Sequence, residues 1–216
     1  MSNLLTKIRF YLFKFYKKKG AFLMPGNLTT EEKKSLLRVA RRAISEAVRQ
    51  EVITPLHLDN LSPTLQKKGA SFVTLTINEE LRGCIGALEA YQPLALDVQE
   101  HAIAAALHDH RFPRVTPSEL GSINIEISWL SEAVDLVYGK PLDLPILLHP
   151  GIDGVILQDG FRKATFLPQV WQQLPDPVEF LGHLCNKMGA ESDLWQRRLL
   201  KVKTYQVEEF SEAQVK

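Results

Sequence analysis

The chain has 216 residues, 45% of them hydrophobic and 24% charged, with a net charge of +1. That length supports one domain or two small ones, and a core that needs no covalent staples. The composition is that of a soluble globular protein, and two cysteines, Cys84 and Cys185, exclude a disulfide framework or a four-ligand zinc set and suit a reducing cytoplasm.

Six of the 26 basic residues (Lys7, Arg9, Lys14, Lys17, Lys18 and Lys19) precede Met24 with no acid among them, which leaves 20 basic against 25 acidic residues downstream. The folded part therefore lacks the basic excess of a nucleic-acid binder. Residues 1–23 interleave apolar and basic groups. They hold no apolar run near the ~20 residues of a transmembrane helix, and no signal-peptide core. They read either as a basic amphipathic helix on an anionic membrane surface or as an extension ahead of a true start at Met24.

From Met24 onward, Thr29 with Glu32 forms a capping box that starts a helix near Thr30. Leu36, Leu37, Val39, Ala40, Ala43, Ile44, Ala47 and Val48 give it an apolar stripe at helical spacing, and Thr54-Pro55 is expected to end it. Ser71 to Ile77 is β-branched and aromatic, a strand. Asn78-Glu79-Glu80 turns the chain, and residues 81–88 return as the second strand of a hairpin.

That returning strand contains Leu81-Arg82-Gly83-Cys84-Ile85-Gly86. Strand alternation puts Arg82 and Cys84 on one face and Leu81 and Ile85 on the other. Glycines inside a strand mark a bulge or a close approach to the backbone. A thiol beside a guanidinium can have a lowered pKa and be reactive; a free cysteine is equally at home as a small buried hydrophobe.

Pro93 opens a second helix that runs to about His108, with Leu94, Val98, Ala102, Ala105 and Ala106 buried. Its His101 and His108 are about 10.5 Å apart along the axis, too far to bind one metal directly. Asp109-His110-Arg111-Phe112-Pro113 turns the chain, with Asp109 and Arg111 placed to form a local ion pair. Ile123 to Trp129 alternates strictly, with Asn124, Glu126 and Ser128 on the face away from the core; a carboxylate at Glu126 reads there as solvated or lining a cleft. Residues 131–150 are irregular. Asp159-Gly160 joins residues 153–158 to 161–166 as a hairpin. Asp176, Pro177 and Glu179 start a helix that Gly189 ends, with Cys185 in its apolar stripe. Lys201 to Phe210 alternates as a final strand.

Arg82-Gly83-Cys84-Ile85-Gly86 after such a strand resembles the signature of the AMMECR domain family, whose bacterial members are called AmmeMemoRadiSam system protein A. Asp109, Arg111 and Phe112 match the family's Asp-Pro-Arg-Phe, with His110 where the proline stands. The strand around Glu126 resembles the family's Glu-Ile-Ser. Phe166-Leu167-Pro168-Gln169-Val170 matches residue for residue, and Lys187-Met188-Gly189 resembles Lys-Ala-Gly. Many relatives have His-Gly where this chain has Asp153-Gly154. The resemblance spans about Phe72 to Met188. It implies an α+β fold, a main mixed or antiparallel sheet flanked by helices with a smaller subdomain packed on it. It also implies association with a Memo-like protein and a radical S-adenosylmethionine enzyme.

On that resemblance the candidate catalytic residues are Cys84, Glu126 and Asp109, and the candidate substrate contacts are Arg82, Gly83, Gly86, Arg111, Gln169 and Lys187. One reading is an enzyme modifying a small molecule or a protein, with Cys84 in a cleft between subdomains, an arginine steadying the thiolate or an anionic substrate, and Glu126 or Asp109 moving protons. The other is a non-catalytic binding or adaptor module of the same three-component set. No GxxxxGK[ST] loop is present, which argues against nucleotide hydrolysis. Neither a cofactor nor a metal is expected, and the expected setting is the cytoplasm.

Overall fold

The Thr29 hydroxyl accepts the N–H of Glu32 while the Glu32 carboxylate accepts the N–H of Thr29, and this reciprocal cap starts helix α1 (Thr30–Val48) where expected. The computed structural model describes residues 28–215, so the readings made for residues 1–23 lie outside the described residues. In chain order the elements are α1, α2 (Pro63–Gln66), β1 (Ala70–Ile77), β2 (Glu80–Gly86), α3 (Leu94–Leu107), β3 (Ile123–Leu130), β4 (Val134–Asp135), α4 (Leu144–Leu147), β5 (Gly154–Asp159), β6 (Arg162–Phe166), α5 (Pro177–Lys187), α6 (Leu194–Arg197), β7 (Lys201–Tyr205) and β8 (Val207–Ser211). The fold is α+β, with two antiparallel sheets and six α-helices among the described residues. None of these helices is long and apolar enough to cross a membrane.

The chain divides into two compact units. The first comprises residues 28–131 and 208–215 and holds the sheet β2-β1-β3-β8. One face of that sheet is covered by helices. Val73 and Leu75 of β1 and Ile125 and Ile127 of β3 are fully buried in one core with Leu36, Ala40 and Ile44 of α1 and Val98 and Ala102 of α3. Burying each such aliphatic side chain stabilises the fold by roughly 1.5–3 kcal/mol. Between β1 and β2 the turn residues Asn78 and Glu79 are both left-handed, with φ of 51° and 68°, the twist a two-residue hairpin turn requires. Helix α1 stops at Val48, earlier than Thr54-Pro55. Glu46 accepts the N–H of Thr54 at 2.8 Å and its hydroxyl at 2.6 Å, and the chain is turned back there.

The second unit, Glu132–Val207, holds the sheet β4-β7-β5-β6 and a core of its own. Cys185 is fully buried in that core beside Phe180, Leu181 and Leu184, the packing role its stripe position suggested. The Asp176 carboxylate accepts the N–H groups of Val178 and Glu179, capping α5. The region 131–150, expected to be irregular, contains the short elements β4 and α4.

The single strand expected over residues 201–210 is two strands in different sheets. β7 belongs to the second unit and β8 to the first. Tyr205 is tied to its own sheet by a 2.9 Å hydroxyl contact with Thr165, while the Glu208 carboxylate accepts the N–H of Leu28 at 3.0 Å. Alternation runs through Gln206 unbroken, so the pattern does not reveal where the chain changes sheets.

Candidate functional site

Cys84 lies on β2, the edge strand of the first sheet. Its cross-strand partner is Thr74, and Thr74 in turn stands opposite Glu126 on β3. Side chains directly opposite one another share a face, so Cys84, Thr74 and Glu126 form a row across three strands. The neighbouring residue Gly83 abuts α3, so the row lies on the face turned away from that helix. The Thr74 hydroxyl reaches the Cys84 sulfur at 3.4 Å. The thiol is partly exposed.

The backbone of Cys84 is held from the other side. An edge strand presents N–H and C=O groups with no strand to meet them. At Cys84 both are met by side chains. Asp109 Oδ2 accepts its N–H at 2.9 Å, and the Arg111 guanidinium donates to its carbonyl at 3.1 Å. The same guanidinium grips the Asp109 carboxylate through both oxygens, with Nε to Oδ1 at 2.7 Å. The expected ion pair of Asp109 and Arg111 therefore exists and does a strand's work at the sheet edge. It needs no proline at His110: the N–H groups of Arg111 and Phe112 both bond back to Asp109. Burial pushes the Asp109 carboxyl up, but the Arg111 guanidinium and the two backbone N–H groups outweigh it and hold it below its ordinary 3.8. A carboxylate so engaged positions its neighbours and is poorly suited to carrying protons.

Arg82 goes elsewhere. The β1–β2 register slips between Leu75 and Thr76: Leu75 faces Gly83 and Thr76 faces Leu81, which leaves Arg82 as the extra residue of a bulge. Its guanidinium binds both oxygens of Glu119, at 2.7 and 3.2 Å, and the carbonyls of Pro113 and Arg114. The guanidinium of this extra residue is drawn to Glu119 and to the loop after α3. Glu119 is pulled down to about 2, first by Arg82.

The two glycines answer to packing. A Cβ on Gly83 would lie 2.2 Å from the carbonyl oxygen of Ala105, and one on Gly86 would lie 2.4 Å from the Phe72 ring. Their bare backbones let β2 approach α3 and β1.

Glu126 is half-buried, and burial raises its carboxyl above the ordinary 4.5. On β8, Glu209 accepts from the Ser128 hydroxyl at 3.4 Å. Burial first, and the Glu126 charge second, push Glu209 up to about 7. Two carboxylates that repel one another thus share this sheet with the thiol. Glu209 was missed by sequence reasoning: it stands in an unremarkable Glu-Glu pair, and its neighbour Ser128 is 81 residues away in the chain.

Gln169 and Lys187 belong to the second unit. Gln169 sits in the 3₁₀ turn Pro168–Gln172; Lys187 donates to the carbonyl of Thr165 at 2.8 Å and stands over the Phe166 ring. Among the described residues, no group of three or more His, Cys, Asp or Glu side chains is arranged to hold a metal ion.

The family model of AMMECR1 matches residues 37–210. The chain belongs to the AMMECR1 family. A protein of Thermofilum pendens is 38% identical over 203 residues, covering 87% of this chain and 92% of the relative. A protein of Methanothermobacter thermautotrophicus is 37% identical over 186 residues, covering 86% and 96%. Among solved structures, the crystal structure of uncharacterized protein PH0010 from Pyrococcus horikoshii matches with a TM-score of 0.75 at 33% identity, covering 86% of this chain and 93% of that one. The AMMECR1 match takes in the Cys84 row, the Asp109–Arg111 clamp and Glu209 together.

Proposed function

We propose that this AMMECR1-family chain is an enzyme that modifies a small molecule or a protein, with Cys84 as nucleophile and Glu126 as the group that takes up its proton. The in-register row of Cys84, Thr74 and Glu126 carries this reading. A hydroxyl donating to sulfur favours the thiolate. Cys84 and Glu126 stand two strands apart, about 10 Å between strand axes, so a proton leaving the sulfur passes through the Thr74 hydroxyl or a water to reach the carboxylate. The thiolate then forms its bond to an electrophilic carbon of the substrate, and Glu126 returns the proton to the group that leaves. A carboxyl raised by burial takes up a proton more readily than an ordinary one, which suits this exchange. Asp109 and Arg111 are positioning residues that fix the backbone beneath the thiol. The family resemblance supplies the rest of the reading: a Memo-like protein and a radical S-adenosylmethionine enzyme as partners, in the cytoplasm.

One observation favours a second reading. Arg82 and Arg111, the arginines expected to meet an anionic substrate, are both engaged by carboxylates and carbonyls of the protein itself. That suits a binding or adaptor module of the same set, in which Cys84 packs.

Alkylation of the native protein near neutral pH, located by mass spectrometry, separates the two. The enzyme reading expects modification at Cys84, slowed by Thr74→Val, and an altered metabolite pool in cells carrying Cys84→Ser. A Cys84 that stays inert until the protein unfolds, with an unchanged pool and lost partner co-purification, selects the module.

A further inference from the structure

Helix α1 carries two arginines one turn apart, Arg38 and Arg42, both exposed. Their neighbour Arg41 is fully engaged, bonded to Glu212 and to the carbonyls of Leu120 and Ile123. Arg38 and Arg42 are far less neutralised. Arg38 has no carboxylate partner among the described residues. The acid nearest Arg42 is Glu46, at 4.0 Å, and both Glu46 oxygens already accept from Thr54. Like charges four residues apart on a helix repel.

Beside this pair lies an open groove of about 500 Å³, walled by Val39, Leu56 and Leu61 and by the exposed His57. Its size falls in the range of small-molecule sites, and its lining joins an apolar wall to a few polar and charged groups, as theirs does. A second depression, of about 400 Å³, shares Arg38 and Arg42 on their other flank. There Glu212 and Arg41 are bonded to each other, and the apolar wall is reduced to Leu37 and Val215.

We propose that the groove between α1 and residues 54–61 binds a small amphipathic anion, its phosphate or carboxylate head held by Arg38 and Arg42 and its apolar body laid on Val39, Leu56 and Leu61. Guanidinium groups present paired donors that match such heads, and an anion placed between them replaces a repulsion with two charge-assisted contacts. The site is independent of Cys84 and of any reaction there.

Titration of the full chain with phenyl phosphate and, separately, phenylacetate, followed by amide NMR shifts, tests this. Saturable shifts confined to α1 residues around Val39 and to residues 54–61 are expected for at least one probe. Inorganic phosphate alone should bind at least tenfold more weakly than phenyl phosphate if that is the preferred probe, since it lacks the apolar body. Arg38→Gln with Arg42→Gln should weaken binding tenfold or more, with an unchanged thermal midpoint in the absence of probe showing that the fold is intact. Val39→Ala, a milder change to the wall, should weaken the organic probes and leave inorganic phosphate unaffected. No saturable shift with either probe, or equal binding by the double variant, overturns the proposal. Inorganic phosphate binding as tightly as phenyl phosphate, with no response to phenylacetate, overturns the apolar half of the site and with it the ligand class.

Discussion

Asp109 accepts the backbone N–H of Cys84 at 2.9 Å, and through that contact the loop after α3 closes the sheet edge beneath the thiol. The carboxylate acts on the main chain of the candidate nucleophile. Arg111 completes the contact by donating to the carbonyl of the same residue.

Replacing Asp109 by Asn should therefore loosen the edge strand. The expected loss is about 1–3 kcal/mol, the scale of a partly buried hydrogen bond to a charged group. Urea denaturation measures it, and hydrogen exchange should show a selective loss of protection at the Cys84 amide. Because the folded-state pKa of Asp109 lies below 3.8, its contribution is present above that value and drains away as pH falls through the folded value. The gap between wild type and variant should close in acid; a gap that persists there refutes the assignment.

The Glu126–Glu209 relationship predicts the opposite pH behaviour. Glu209 is raised to about 7, so the folded state holds a proton that the unfolded chain releases near 4.5. Its contribution is complete below 4.5 and is lost as pH rises through about 7. Glu209→Gln should flatten the fall in stability over that window. Glu126→Gln removes the second-largest cause of the shift, so carboxyl ¹³C NMR should find Glu209 titrating at lower pH.

Arg82 separates a structural role from a role at sulfur. Arg82→Ala removes four hydrogen bonds and the partner of Glu119. A loss of about 1–3 kcal/mol is expected. The deficit should shrink between pH 4.5 and about 2, because Glu119's contribution is lost from the wild type over that range. The pH profile of Cys84 alkylation should stay where it is; a profile moved to higher pH would restore Arg82 to the thiol's surroundings.

Gly83 tests the packing of β2 on α3. A Cβ there would sit 2.2 Å from the Ala105 carbonyl oxygen, a backbone atom that cannot swing aside. Gly83→Ala should cost about 1–3 kcal/mol or more, the range for an overpacked contact, and lower the thermal midpoint. An unchanged midpoint would mean that β2 and α3 separate easily.

Local physics was legible in the chain. The Thr29–Glu32 box, the Asp159-Gly160 hairpin and the apolar stripes of α1 and α3 rest on neighbours within a turn or two, so sequence alone determined them, as it did the family through the residues around Cys84 and Gln169. What lies between distant segments was decided by the tertiary structure. The bulge that turns Arg82 to Glu119, the Asp109–Arg111 clamp on the Cys84 backbone and the exchange of sheets at Gln206 all depend on which strand has a free edge and which loop returns to it. Glu126 shifts Glu209 for the same reason. Their charges meet only because β3 and β8 are neighbours, and a repulsion between residues 83 positions apart leaves no mark on the spacing of either.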